Sequence, residues 1–152
     1  MSNPESVPFN TTVHVRDHCL CLHTQRAARF LARLFDDALR PFGLTNGQFS
    51  LMMALNRPAP AGMQGVATLL AMDRTTLTAA LKVLERRGWI VAAVNPTDKR
   101  GRLLSLTPDG QRVLASAVPT WEQTHAPVEQ RLDDADRLRR DLALVVGAPH
   151  AG

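Results

Sequence analysis

The chain has 152 residues, 45% hydrophobic and 21% charged, a balance that excludes a disordered tail and suits one domain burying roughly 70% of its unfolded surface. Eighteen Lys and Arg against fourteen Asp and Glu leave a net charge of +4, which invites a polyanionic partner. There is no run of 18 apolar residues, and the opening MSNPESVPFNTTV has neither a basic segment nor an apolar one, so the expectation is a cytoplasmic protein with no membrane segment and no secretory leader.

Residues 1–13 carry two prolines and no periodicity and read as a flexible arm; residues 14–152 read as one domain. From about Asp17, Leu20, Ala27, Leu31, Leu34 and Ala38 recur at helical spacing until Pro41 and Gly43 stop a long first helix. Thr45 with Gln48 three residues on forms a capping box for a second helix. A short apolar segment, 66–72, precedes Asp73, the expected N-cap of RTTLTAALKVLERR, which Gly88 terminates. The period then becomes strand-like over 89–94 and 103–106, with turn chemistry over 95–101, giving a hairpin. Thr107, Pro108 and Asp109 supply an N-cap, an N1 proline and an early acid for a further helix, which Pro119 should kink. A last helix is expected from about Asp134 to Val146.

On the helix after Asp73, Leu77, Leu81 and Leu84 fall within about 60° of one another and mark the core face. Opposite them lie Thr75, Ala79, Lys82 and Arg86, flanked by Arg74 and Thr78, a slim face bearing the methyl, hydroxyl and guanidinium groups that read base edges in a major groove. The hairpin tip adds Lys99, Arg100 and Arg102, placed to follow a phosphate backbone or enter a minor groove. Residues 74–102 hold seven cations and two acids, a net +5, and leave the rest of the chain at −1. The basicity belongs to one helix and one ribbon, the arrangement of a winged helix-turn-helix.

The segments GLTNGQFSLMMAL (43–55), LLAMDRTTLTAALKVLERRGWI (69–90) and TDKRGRLLSLTPDG (97–110) resemble the MarR family of transcriptional regulators, with Asp98, Arg100, Leu106, Thr107 and Gly110 matching its wing pattern. The resemblance implies a mainly α fold with a small β-hairpin wing, dimerising through helices at about 17–41 and 108–146 around a winged helix-turn-helix at about 45–107. It implies a homodimer on palindromic double-stranded DNA, probe-like recognition helices in successive major grooves, and repression relieved by a small-molecule effector. Arg74, Thr75 and Thr78 would face bases, Thr76 and Lys82 phosphates, and Arg100 the minor groove, with Asp98 orienting the wing. Arg86, Lys99 and Arg102 complete the DNA-binding set. The family's ligand cleft would place Cys21, Met52 and Trp121 around the effector.

His14, His18, Cys19, Cys21 and His23 put five potential metal ligands in ten residues, but on a helix His14, His18 and Cys21 share one face and Cys19 and His23 the opposite one, so no face has four. No metal or other cofactor is expected. Cys19 and Cys21 are also redox candidates, because Cys21 lies 22 residues before Gly43, where hydroperoxide-sensing members carry their reactive Cys; those members hold the thiolate with tyrosines, and this chain has none. An intrahelical Cys19–Cys21 disulfide is disfavoured, since residues two apart diverge. The alternatives to an effector-controlled regulator are a redox- or metal-responsive regulator of the same fold and a winged-helix protein-interaction module. No phosphate loop or nucleophile elbow is present, which argues against an enzyme.

Overall fold

The computed structural model describes residues 5–147, which fall into two compact units divided after Leu34. In the first unit, helix α1 (Phe9–His18) occupies part of the stretch expected to be an arm. Pro8, at φ −61°, starts it, and its carbonyl accepts the Thr11 N–H at 3.0 Å; none of its residues is buried, so local backbone bonds hold it. Residues 1–4 of the expected arm lie outside the described residues.

The long first helix is broken at Cys19, whose backbone (φ −71°, ψ 110°) is extended between α1 and α2 (Leu20–Leu39). The break is satisfied locally. Cys19 N–H still donates to the Val15 carbonyl at 2.9 Å, the Cys19 carbonyl accepts His23 N–H at 3.1 Å, and the Leu22 N–H donates to Cys19 Sγ at 3.4 Å. The premise that both cysteines sit within one helix therefore fails, because Cys19 lies at its break. A one-residue excursion without Pro or Gly leaves no mark on hydrophobic period.

In the second unit, a 3-10 turn (Arg40–Phe42) and Gly43 at φ +72° end the α2 run. Helix α3 (Asn46–Leu55) opens with the expected capping box: Gln48 N–H donates to Thr45 Oγ1 at 3.2 Å, and Thr45 N–H donates to Gln48 Oε1 at 3.0 Å. Asp36 Oδ1 adds a tie across the corner, accepting the Asn46 backbone N–H at 2.7 Å and its side-chain amide at 2.8 Å. A two-residue strand, β1 (Ala61–Gly62), leads into α4 (Met63–Leu70), which stops at Ala71 in the left-handed region (φ 52°). Helix α5 (Arg74–Arg86) follows from the Asp73 cap.

Strands β2 (Ile90–Asn95) and β3 (Asp98–Leu106) pair antiparallel, and Ala61 pairs with Leu104, so the sheet order is β1-β3-β2. The hairpin is longer than its apolar runs announced: β3 begins at Asp98 within the stretch read as turn. Helix α6 (Pro108–Glu129) carries Pro119 and Pro127 inside its span, and α7 (Ala135–Val146) begins at the Asp134 cap. Leu39, Leu51, Met52, Leu77, Leu84 and Leu104 are the largest fully buried side chains and fuse α3, α5 and the sheet into one core. The fold is mainly α with a small antiparallel wing. Among the described residues, no helix is long and apolar enough to cross a membrane.

Candidate nucleic-acid interface

Helix α5 is anchored on one side and bare on the other. Leu77 and Leu84 are fully buried and Leu81 nearly so, whereas Arg74, Thr75, Thr76, Thr78, Ala79, Lys82 and Arg86 are exposed. Its N-terminus is fixed by Asp73, whose Oδ1 accepts the Thr76 N–H and whose Oδ2 accepts the Thr76 hydroxyl, both at 2.8 Å. The Thr76 backbone N–H, then its hydroxyl, holds the Asp73 carboxyl below the usual carboxylate range. Thr76, expected at a phosphate, thus spends its hydroxyl proton on the cap. Arg74, Thr75 and Thr78 form the open first turns.

The wing tip is set by two side chains. Asn95 Oδ1 accepts the Thr97 N–H at 3.0 Å and the Thr97 hydroxyl at 2.9 Å, closing the turn. The pairing register then jumps: Val94 faces Arg102 while Asn95 faces Asp98, so Lys99, Arg100 and Gly101 bulge out of the ladder. Asp98 Oδ1 accepts the Arg100 N–H at 3.0 Å and closes that bulge. A bulge re-aims its side chains, and here it displays Lys99 and Arg100 beyond the ribbon, with Arg102 exposed at its base.

The exposed cations of α5 and the wing carry no carboxylate partner among the described residues, while Arg16, Arg40, Arg112 and Arg139 are each ion-paired. Unpaired clustered cations are a ready phosphate-binding surface. Arg87 is the exception within 74–102: its guanidinium donates to the Gly43 carbonyl and lies 4.8 Å over the Trp89 ring. It braces the end of α5 against the corner before α3. Residue order alone does not distinguish it from Arg86.

The wing is joined to α6 through Thr107. Its hydroxyl donates to the Gly88 carbonyl at 2.6 Å and accepts the Gly110 N–H at 3.0 Å, and its own N–H donates to the Trp89 carbonyl at 3.0 Å. Gly110 is buried against the Trp89 backbone so closely that a Cβ there would overlap the Trp89 carbonyl group.

A groove of about 560 Å³ opens between α3, α4 and α6. Phe49, Met53, Leu69, Leu70, Val118 and Trp121 give it apolar walls, with Ser50, Ala54 and Glu122 beside them. The Trp121 ring is nearly parallel to both Phe49 (centroids 6.2 Å apart) and His125 (4.6 Å). Of the expected cleft residues, Trp121 lines this groove; Met52 is fully buried in the core and its neighbour Met53 lines it instead. The one-residue offset matters on a helix, where it turns a side chain by about 100°. Cys21 is exposed on α2 in the other unit. There, His14 and His18 stack at 4.4 Å, and among the described residues no three His, Cys, Asp or Glu side chains converge on a metal position.

The MarR family profile matches residues 42–101, the span that holds α3, α5 and the wing tip. The transcriptional regulator HosA of Escherichia coli O111:H- is 35% identical over 119 residues, covering 76% of this chain and 81% of that one. The chain belongs to the MarR family. The transcriptional regulator MosR of M. tuberculosis, solved in complex with DNA, superposes with a TM-score of 0.79 at 38% identity over 86% of this chain and 95% of that one. The multiple antibiotic resistance protein MarR of Salmonella typhimurium is 35% identical over 81 residues, 53% of this chain and 56% of that protein, so the chain spans little more than half of this MarR relative. The family is one of transcriptional regulators rather than enzymes.

Proposed function

We propose that the protein is a dimeric, sequence-specific DNA-binding regulator, a repressor whose grip on a palindromic operator is released when a small molecule fills the α3–α4–α6 groove. The observation that carries this reading is the pairing of a buried leucine face with a bare Arg74/Thr75/Thr78/Lys82 face on α5, next to a wing whose bulge displays Lys99 and Arg100. MosR, solved with DNA, supports it. Arg74, Thr75 and Thr78 read base edges, Lys82, Arg86, Lys99 and Arg102 contact phosphates, and Arg100 enters the minor groove, held by the Asp98 turn.

Surface chemistry supports the dimer: α7 sets Leu138, Leu142 and Val145 on one face, exposed by 41–67%, a stripe that water disfavours and a second copy would cover. An effector need only prefer a dimer whose recognition helices depart from the roughly 34 Å between successive major grooves; a coupling of about 1 to 3 kcal/mol changes affinity roughly 5- to 150-fold.

The test is selection of binding sites from random duplexes, followed by a salt titration on the selected site. Enrichment of an inverted repeat with a steep negative log–log salt slope is expected. Recovery of no preferred sequence, with binding to an acidic protein partner instead, would sink the reading and leave the basic ribbon as a protein-docking surface.

A further inference from the structure

We infer that the effector taken by this groove is a planar compound that is neutral or cationic, and that Glu122 selects against anions. The inference rests on the effector-groove reading above and adds the ligand's charge.

The second unit supplies two adjoining cavities that share Met53 and Val118: the 560 Å³ groove beside Trp121, and one of about 520 Å³ that continues along α3 and α6 past Asn56 and Gln111. Met53 and Val118 are common to both, with Trp121 in the first and the Asn56 and Gln111 amides in the second. Among the described residues, the two linings hold no Lys, Arg or His, and Glu122, in the first cavity, is their single ionisable side chain; His125 stacks on the Trp121 ring at 4.6 Å without lining the groove.

That composition decides the sign. A carboxylate or phosphate ligand would lie against apolar walls that offer no counter-charge, beside the exposed Glu122 carboxylate of the same sign, and would give up part of its hydration with no ion pair in return. A flat apolar body gains area against Phe49, Met53, Leu70 and Trp121, and an ammonium on it meets the Glu122 carboxylate. In the adjoining cavity, the Asn56 and Gln111 side chains offer both donors and acceptors, suited to a neutral hydroxyl or amide group. The net positive charge of the chain as a whole would favour the opposite ligand sign, so the preference is a local property of these walls.

Three probes with one ring and three charges test this by calorimetry on the full chain without DNA: 2-naphthylmethylamine, 2-naphthylmethanol and 2-naphthoate. The expected order is amine, then alcohol, then naphthoate, with roughly tenfold between the ends, the scale of a partly exposed ion pair gained and a like-charge contact avoided. Glu122→Gln should bring amine and naphthoate to within about threefold, and Glu122→Lys should reverse them. Met53→Trp, at a half-exposed position where folding is checked by its melting curve, should fill the groove and weaken all three. Naphthoate binding as well as the amine, with Met53→Trp weakening both, would overturn the charge assignment and leave the effector groove standing. Binding of all three that ignores Met53→Trp, or binding of none, would overturn the groove as well.

Discussion

The guanidinium of Arg87 donates to the carbonyl of Gly43, tying the C-cap residue of α5 to the corner that ends the α2 run. Gly43 sits at φ +72°, so the carbonyl is presented by a backbone conformation that favours glycine, and the Trp89 ring lies under the same guanidinium at 4.8 Å. Arg87 belongs to the basic segment by sequence and to the scaffold by geometry. Arg87→Ala should therefore lower unfolding free energy by about 1 to 2 kcal/mol, one charge-assisted hydrogen bond at an exposed site, and leave the salt slope of DNA binding unchanged. Urea unfolding and salt-dependent binding of the same variant check both halves.

Arg74 and Lys82 divide the opposite way. Arg74→Ala should cost about 1 to 3 kcal/mol on the preferred site and much less on random duplex, whereas Lys82→Ala should weaken all sequences alike and reduce the salt slope by about one. Equal losses on both DNAs for Arg74→Ala would move that side chain from bases to phosphates.

Two glycines give a stability contrast. Gly110→Ala drives a methyl into the Trp89 backbone, which cannot rotate aside, and should destabilise by at least about 2 kcal/mol. Gly65→Ala, inside α4 with nothing within 4 Å of the new methyl, should stabilise by about 0.5 to 1 kcal/mol. Thermal melts of the two variants should move in opposite directions.

Acid sensitivity follows from two capping carboxylates. The Asn46 backbone N–H, then its side-chain amide, holds Asp36 below the usual range, as Thr76 does for Asp73. A depressed folded pKa contributes stability that is present above the unfolded value of about 3.9 and is lost as pH falls through the lower folded value. The part of the stability that these two carboxyls contribute should be constant from pH 7 to about 5 and be lost below about 4. In the double variant Asp36→Asn/Asp73→Asn the urea midpoint should be lower at pH 6 and decline less between pH 5 and 2.

Local chemistry was legible wherever a motif closes within a few residues. The Thr45–Gln48 box, the Asp73 and Thr107 caps, and the Leu77/Leu81/Leu84 stripe all appear where spacing placed them, because each depends on one or two turns of helix and not on what lies across the core. The concentration of charge in 74–102 was equally readable, since charge is additive along a chain.

Tertiary structure decided the rest. The break at Cys19 leaves no trace in a hydrophobic period, and a two-residue β1 is too short to have one; it exists because Ala61 meets Leu104 across the sheet. The three-residue bulge at Lys99–Gly101 depends on a cross-strand register that turn composition does not specify. Met53 rather than Met52 reaches the groove because the packing of α3 sets which side of that largely apolar helix is sealed. Arg87 leaves the charged surface only because Gly43, 44 residues away, brings a carbonyl within its reach. Short-range hydrogen bonds and periodicity are written in neighbouring residues; register, facing and long-range partners depend on closing loops around a core, and become definite only when that core forms.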